Sequence, residues 1–380
     1  MTDQANTLRD SLPERSDTQH SLTQSELRKY FEAAERFEAT DLFLRSDHVP
    51  CMRIAGKLKS LETPPLDSEK FEAIIQESLR AAHWQKFLQV GSVDLGVDLS
   101  ATARFRVNIF RTRGRCALAA RRINPKILGY EELYLPKSLG NIAAKRQGLI
   151  LVCGTTGSGK STTIAAMLQQ INLERACHIL TIEDPIEFLF SDAKALINQR
   201  EIGIDVPNFQ TGLKSMMREG PDVVLIGEVR DKETFEVCLQ AAETGQLVFV
   251  TLHAASTSQA FARIYEFFSE HDQGAVRHLL AFHMQAFICQ KLVPTLRQDA
   301  QVVPAVEVLM QSPPTRKFIL AGREHELDGV IKEQRASGMQ SFNDSLIDLV
   351  DRNLVDPRVA RELAPRPEEF AMRLRGIETE

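Results

Sequence analysis

The sequence predicts an α/β protein in two parts: a parallel sheet covered by helices, preceded by a smaller α+β domain. Three observations predict it. Gly154-Thr155-Thr156-Gly157-Ser158-Gly159-Lys160-Ser161 reads G-x-x-x-x-G-K-S and lies between an apolar run, Gly148–Cys153, and a helical pattern from Thr162 to Leu173. From Gly148 onward, short apolar runs (Leu149–Cys153, Ile179–Ile182, Val223–Ile226, Leu247–Leu252) alternate with helical segments, the pattern of strands buried on both faces. Before that point the apolar residues alternate with polar ones, as in half-buried antiparallel strands.

Taken in order, residues 1–24 are rich in Ser, Thr, Asp and Gln and read as a disordered tail. A helix follows over about Ser25–Ala39, with Thr23 and Glu26 spaced as a capping box. Asp41–Arg45 and Cys51–Ile54 read as strands, with a turn at Ala55-Gly56-Lys57 before Leu58–Leu61. Asp67–Leu88 is helical with a break near Ala81, and Val93–Leu99, Arg104–Arg111 and Cys116–Ile123 are strands. This first domain spans 25–136, a linker 137–147 and the second domain 148–356. The pattern after Pro294 is mixed, then helical over Ser341–Leu354 and again near Pro367–Arg375. Residues 357–380 are expected to be a polar C-terminal tail.

The 380 residues are 43% hydrophobic and 26% charged with a net charge of −5, ordinary for a globular protein of two domains and unlike a dedicated nucleic-acid binder. No apolar run approaches the ~18 residues that span a bilayer, and the N-terminus lacks a hydrophobic signal core, so a cytoplasmic protein is expected. The six cysteines are scattered without a C-x-x-C pair, which argues against a zinc site or a disulfide framework.

The glycine-rich segment is a phosphate-binding loop. Gly157 and Gly159 let the backbone turn tightly and bring its N–H groups close to phosphate oxygens, with Gly154, Thr155, Thr156 and Ser158 the other members of the binding loop. Lys160 can reach the β- and γ-phosphates, the Ser161 hydroxyl can ligate Mg²⁺, and Thr162 opens the helix behind them. ATP and Mg²⁺ are therefore the expected cofactors. Val223-Val-Leu-Ile-Gly-Glu228 is an apolar strand ending in an acid, the place where such enzymes hold Mg²⁺. Ile179-Leu-Thr-Ile-Glu183-Asp184-Pro185 puts two acids at another strand end, where a carboxylate can deprotonate an attacking water. Leu247–Leu252 leads into His253, a candidate γ-phosphate contact.

Together these strings resemble the secretion ATPase superfamily, and within it the PilT/PilU-type retraction ATPases of type IV pili. The loop matches that family's Walker A, Thr181–Glu187 its Asp box, Pro221–Asp231 its Walker B and Thr244–Ala254 its His box. Asn198–Gly203, Thr40–Leu44, Arg104–Asn108 and Gly338–Phe342 are also similar to family strings, so the likeness covers roughly Ser25 to Leu354. The resemblance implies a RecA-like ATPase domain, a PAS-like N-terminal domain and a hexameric ring. It implies that Glu183 is the catalytic glutamate, that Glu228 supports the metal and that His253 senses the γ-phosphate. It also implies arginines donated in trans from a neighbour's N-terminal domain, with Arg113 and Arg121 matching best and Arg104 and Arg106 in reserve.

The implied function is an ATP-hydrolysing motor for pilus retraction and twitching motility. Such a motor sits in the cytoplasm against the inner membrane through the pilus platform protein. Two alternatives come with it: an accessory PilU-type subunit dependent on a paralogous PilT ring, and a pilus-extension or type II secretion ATPase. Members of the latter class carry a large extra N-terminal domain and a tetracysteine zinc site, neither of which this sequence contains. Thr315–Leu320 departs from the Ala-Ile-Arg-Asn-Leu-Ile-type segment of PilT proteins, and Ile331–Phe342 leans towards PilU. The arginines of Arg104–Arg122 alternate along strands without a stacking platform, so no nucleic-acid partner is expected.

Overall fold

A computed structural model describes residue 22 and residues 24–100, 103–123, 126–297 and 300–376. They form two compact units, divided between residues 125 and 126. Almost all of the expected N-terminal tail, with Thr23 of the expected capping box, lies outside the described residues.

The first unit contains helix α1 (Arg28–Arg36), strands β1 (Asp41–Arg45), β2 (Cys51–Ile54) and β3 (Lys57–Ser60), and helices α2 (Ser68–Ser78) and α3 (Ala81–Val90). Strands β4 (Ser92–Ser100), β5 (Ala103–Thr112) and β6 (Arg115–Ile123) follow. The six strands make one antiparallel sheet in the order β3-β2-β1-β6-β5-β4. Alternate residues of β5, Phe105, Val107 and Ile109, are buried. They share a core with Phe31, Phe71 and Phe87, one from each helix, so the period-two pattern puts one sheet face under the helices.

The second unit opens with α4 (Ser138–Ala143), β7 (Gly148–Cys153), α5 (Lys160–Glu174), β8 (His178–Glu183) and β9 (Leu196–Glu201). It continues with α6 (Phe209–Met216), β10 (Val223–Ile226), α7 (Lys232–Glu243), β11 (Leu247–Leu252), α8 (Thr257–Glu266) and α9 (Glu270–His283). Strands β12 (Met284–Pro294) and β13 (Val302–Met310) precede the helices α10 (Pro313–Leu320), α11 (Leu327–Glu333), α12 (Phe342–Asp351), α13 (Pro357–Leu363) and α14 (Pro367–Leu374). The seven strands run in the order β13-β12-β7-β11-β10-β8-β9, parallel except for the β12–β13 pair.

Successive residues of each central strand enter different cores. Leu149, Leu151, Val248 and Val250 pack on one face, Ile150, Val152, Leu247 and Phe249 on the other. A sheet buried on both faces needs helices on both, which is why these strands are apolar throughout. The α/β expectation, an ATPase-type domain behind a smaller α+β domain, is borne out.

Two expected boundaries differ. The division falls before the expected end of the first domain at 136. Leu135, Leu139, Ile142 and Ala143 are buried in the second unit with Ile164 and Leu168 of α5, so the expected linker contains a packed helix. The segment from residue 357 is not a tail as far as residue 376. Its helices bury Ala360, Ala364 and Phe370 in the second core, and Arg373 and Lys332 pair with Asp344 and Glu369. The charged face of α14 makes the segment look polar, while its single buried ring anchors it. Phe370→Ala should therefore cost about 3–5 kcal/mol, as for other buried aromatics cut to alanine. Chemical denaturation measures this, and an unchanged midpoint would mean that α14 is a dispensable tail after all.

Candidate active site

Parallel strands in register end together, and here that places four sequence segments at one sheet edge. Ile226 pairs with Ile182 on one side and Val250 on the other, and Leu252 pairs with Cys153. Each strand is followed at once by a site residue: Gly154 after β7, Glu183 at the end of β8, Gly227-Glu228 after β10 and His253 after β11. Backbone bonds from Gly227 to Ile182 O (2.9 Å) and from Val229 to Thr251 O (3.1 Å) carry the ladder into the loops. The carboxyl ends of parallel strands are where α/β sheets bind ligands.

The phosphate loop joins β7 to α5. Gly154, Gly157 and Gly159 have φ of 155°, 77° and 85°, a region open to glycine and strained for other residues. The start of α5 is unlike its neighbours. Asp231, Ser256 and Ser269 cap α7, α8 and α9 through side-chain oxygens, whereas Gly159 gives α5 no side-chain cap. The first N–H groups of a fifteen-residue helix are thus left for an external anion. Lys160 Nζ donates to Gly154 O (2.9 Å) and Thr155 O (3.0 Å), curled over the loop it would share with a phosphate. Burial lowers the Lys160 pKa, and the Glu228 carboxylate opposes that shift.

Glu228 accepts from Arg230 Nη2 (2.6 Å) and lies 3.2 Å from His253 Nε2. The Arg230 hydrogen bond holds its carboxyl below the usual range, against partial burial. Glu183 is in the opposite condition. It is buried and lines a cavity with Ser161, Ile164, Leu168, Phe190 and Thr251. Burial pushes its pKa up to about 7, opposed by hydrogen bonds from Thr181, Glu187 N–H and Gln199. Thr181 Oγ1 donates to Oε1 at 2.7 Å, and the Glu187 N–H donates to Oε2 at 3.4 Å. Two carboxylates at one edge, one held ionised and one poised near neutrality, suit separate duties as cation holder and proton acceptor. Ser161 hydroxyl and Glu228 carboxylate are hard oxygen donors, a set that fits Mg²⁺ with water completing its shell.

The sequence candidates Lys160, Ser161, Glu183, Glu228 and His253 therefore come together. The arginine candidates lie in the first unit. Arg113 occupies the β5–β6 turn with φ of 50°, is exposed and makes no ion pair among the described residues. Arg121 is held by Asp41 at 3.0 Å. Arg104 is buried and bonded to Asp98, while Arg106 is exposed opposite Arg121.

Gln290 lies outside every motif, and Thr181 and Gln199, though within the Thr181–Glu187 and Asn198–Gly203 strings, carry no role in the sequence reading. Gln199 Nε2 donates to Phe188 O (2.8 Å) and Glu183 Oε1 (3.4 Å), and its Oε1 accepts from Phe190 N (3.0 Å), tying the loop after Glu183 to β9. For Thr181 and Gln290 the available signal was a hydroxyl or amide inside a mainly apolar strand; Gln199, in Leu-Ile-Asn-Gln-Arg-Glu, offered none of this kind.

The loop, the uncapped helix and the paired carboxylates on a parallel sheet define a phosphate-loop ATPase. Residues 85–343 match the model of the type II/IV secretion system protein family. The chain is 36% identical to the type IV pilus retraction ATPase PilT of Pseudomonas aeruginosa, over 87% of this chain and 96% of that one. It is 35% identical to the type IV pilus ATPase PilU of the same species, over 82% and 81% of the two chains. The crystal structure of the pilus retraction motor PilT with bound ADP superposes with a TM-score of 0.82 at 36% identity, covering 89% of this chain and 96% of that one. The chain belongs to the type II/IV secretion system family, as a secretion ATPase of the PilT/PilU type.

If Glu183 is the proton acceptor, protonation removes the base, so ATP turnover should fall as pH drops through about 7. Thr181→Val deletes a donor to the charged carboxylate, which raises its pKa further, so the midpoint of the profile should move to higher pH. Steady-state hydrolysis against pH checks this, and a midpoint unmoved by Thr181→Val would show that another group sets it.

Proposed function

We propose that this chain is the ATP-hydrolysing subunit of a homohexameric ring that drives type IV pilus retraction. The observation that carries this is the convergence of Lys160, Ser161, Glu183, Glu228 and His253 at one sheet edge. It occurs in a chain that matches a pilus retraction ATPase over 96% of that protein. That match, against only 30–33% of the type II secretion system E proteins, favours retraction over type II secretion. The 35% identity to PilU beside 36% to PilT keeps an accessory ring working with a paralogous partner as the second reading. The completeness of the site favours turnover by this chain itself. By its likeness to the pilus retraction ATPase the reading places the ring in the cytoplasm, reaching the inner membrane through the platform protein; no helix among the described residues is long and apolar enough to cross a membrane.

In this reading the loop N–H groups and the start of α5 cradle the phosphates, and Lys160 offsets their charge. Ser161 and Glu228 would hold Mg²⁺, which when bound would supply positive charge to offset that of the phosphates. Glu183 orients a water against the γ-phosphorus and takes its proton as the bond to the bridging oxygen breaks, leaving ADP and phosphate. His253, beside Glu228, contacts the γ-phosphate. Glu183→Gln should keep ATP binding and lose turnover by roughly 10²-fold or more, the loss of a general base. Glu228→Gln should instead change the Mg²⁺ requirement. The opposite pattern in nucleotide-binding and Mg²⁺-titration assays would exchange the two roles.

A ring supplies what one phosphate-loop domain lacks, a cation on the open side of the γ-phosphate. Such an arginine finger is worth roughly 10³–10⁵ in rate. Arg113 is the better donor, because Arg121 is already held by Asp41. Arg113→Ala should fold and bind nucleotide yet hydrolyse it poorly. Mixing it with Lys160→Ala, itself inactive for want of its phosphate ligand, should restore part of the turnover. Mixed rings that form and stay inactive would rule out donation in trans.

A further inference from the structure

Behind the phosphate loop lies a side chain that no motif marks. Gln290 belongs to β12, beside β7, and is almost fully buried. Its Nε2 donates to Ser158 O at 2.7 Å, and its Oε1 accepts from Thr163 Oγ1 at 2.7 Å. A carbonyl can only accept, so the amide must face Ser158 with its NH₂ end, and its oxygen is left for the Thr163 hydroxyl. One amide thus spans the loop and the first turn of α5.

The loop rests on Gln290 at both ends. A Cβ on Gly154 would meet Ser158 Oγ at 2.3 Å and the main-chain carbonyl oxygen of Gln290 at 2.6 Å, and a Cβ on Gly159 would stand 2.7 Å from the Gln290 Nε2. Both glycines are required by this close approach as well as by their φ. The hydrogen bond also fixes a direction. The Ser158–Gly159 peptide is trans, and in a trans peptide the C=O and N–H point opposite ways. With the Ser158 carbonyl turned back onto β12, the Gly159 N–H is turned to the open side of the loop. The neighbouring strand is anchored: Val306, opposite Gln290 on β13, donates its N–H to Ser345 Oγ of α12 at 2.9 Å.

We propose that Gln290 is a positioning residue for nucleotide binding: it clamps the Ser158 carbonyl and α5, and so holds the Gly159 N–H aimed at the phosphates. This rests on the reading of the loop as a nucleotide site. Without the clamp the Ser158–Gly159 peptide is free to rotate, and one donor to the anion loses its preset direction.

The test is the ADP dissociation constant, with ATP KM and kcat, of full-length Gln290→Leu, which keeps the volume and removes both hydrogen bonds. ADP affinity should weaken roughly tenfold to a hundredfold, the cost of one hydrogen bond to a charged group. KM should rise with it, while kcat at saturation changes less. A merely structural role would lower the melting temperature without ligand and leave ADP affinity intact. A folded Gln290→Leu that binds ADP as wild type does overturns the proposal. If that variant does not fold, Thr163→Val decides: it removes the hydroxyl that anchors the amide and should weaken ADP binding, while Thr163→Ser should restore it. Wild-type affinity in Thr163→Val overturns the proposal equally. Failure of the underlying reading would look different, because the wild-type chain would then bind no ADP and Lys160→Ala would change nothing.

Discussion

The in-register ending of β7, β8, β10 and β11 is the constraint on which everything else in this molecule depends. The pairings of Ile226 with Ile182 and Val250, and of Leu252 with Cys153, put four chain segments at one height. A slip of one residue in any strand would exchange its two buried faces and move its site residue off the edge. Burial on both sides is what forbids the slip, because Leu151 and Val152 each have a dedicated core to fill. The packing that stabilises the sheet is therefore also what aligns Glu183, Glu228 and His253 with the loop.

At that edge local stability gives way to binding. A side-chain cap at the start of α5 would add about 0.5–2 kcal/mol to the helix, and α7, α8 and α9 all have one. Gly159 provides none, and its φ of 85° lets the chain turn so that the helix N–H groups face outward. The same exchange appears at Glu183. A carboxylate held in a cavity among Ile164, Leu168 and Phe190 loses hydration, and hydrogen bonds from Thr181, Gln199 and the Glu187 N–H offset part of that loss. Both features are unfavourable for folding and are sustained by the surrounding sheet.

Much of this was legible in the sequence because the signals are local. The central strands β7, β10 and β11 are apolar end to end, and the phosphate loop is a contiguous string, so each announces itself within a few residues. The strands β9, β12 and β13 were not foreseen. β9 is an edge strand of sequence Leu-Ile-Asn-Gln-Arg-Glu, only partly buried. β13, the other edge, carries Pro304, and Glu307 is buried within it. Edge position relaxes the apolar requirement that makes a strand readable. The helix α4 escaped for a related reason, being short and joined to the core by a few residues such as Leu139 and Ile142, whereas α14 is helical as read and only the packing of its Phe370 into the core was missed. Gln290 was illegible because its role is a relation between segments remote in sequence. Gln290 reaches Ser158 across 132 positions.

The charges around Glu228 join the site to the body of the domain. Arg230 binds the Glu228 carboxylate, and the next residue, Asp231, caps α7 through Thr234 N–H. Across the site, His253 lies at the end of β11, three residues before Ser256, which caps α8. A cation or a phosphate drawing on Glu228 or His253 must compete with these existing contacts, just as a phosphate drawing on Lys160 must compete with the carbonyls of Gly154 and Thr155. Arg230 stands two residues and His253 four residues before the first residue of a helix. The electrostatics of the site and the entry points of two helices on one face of the sheet are consequently set by neighbouring residues, and neither can be altered without disturbing the other.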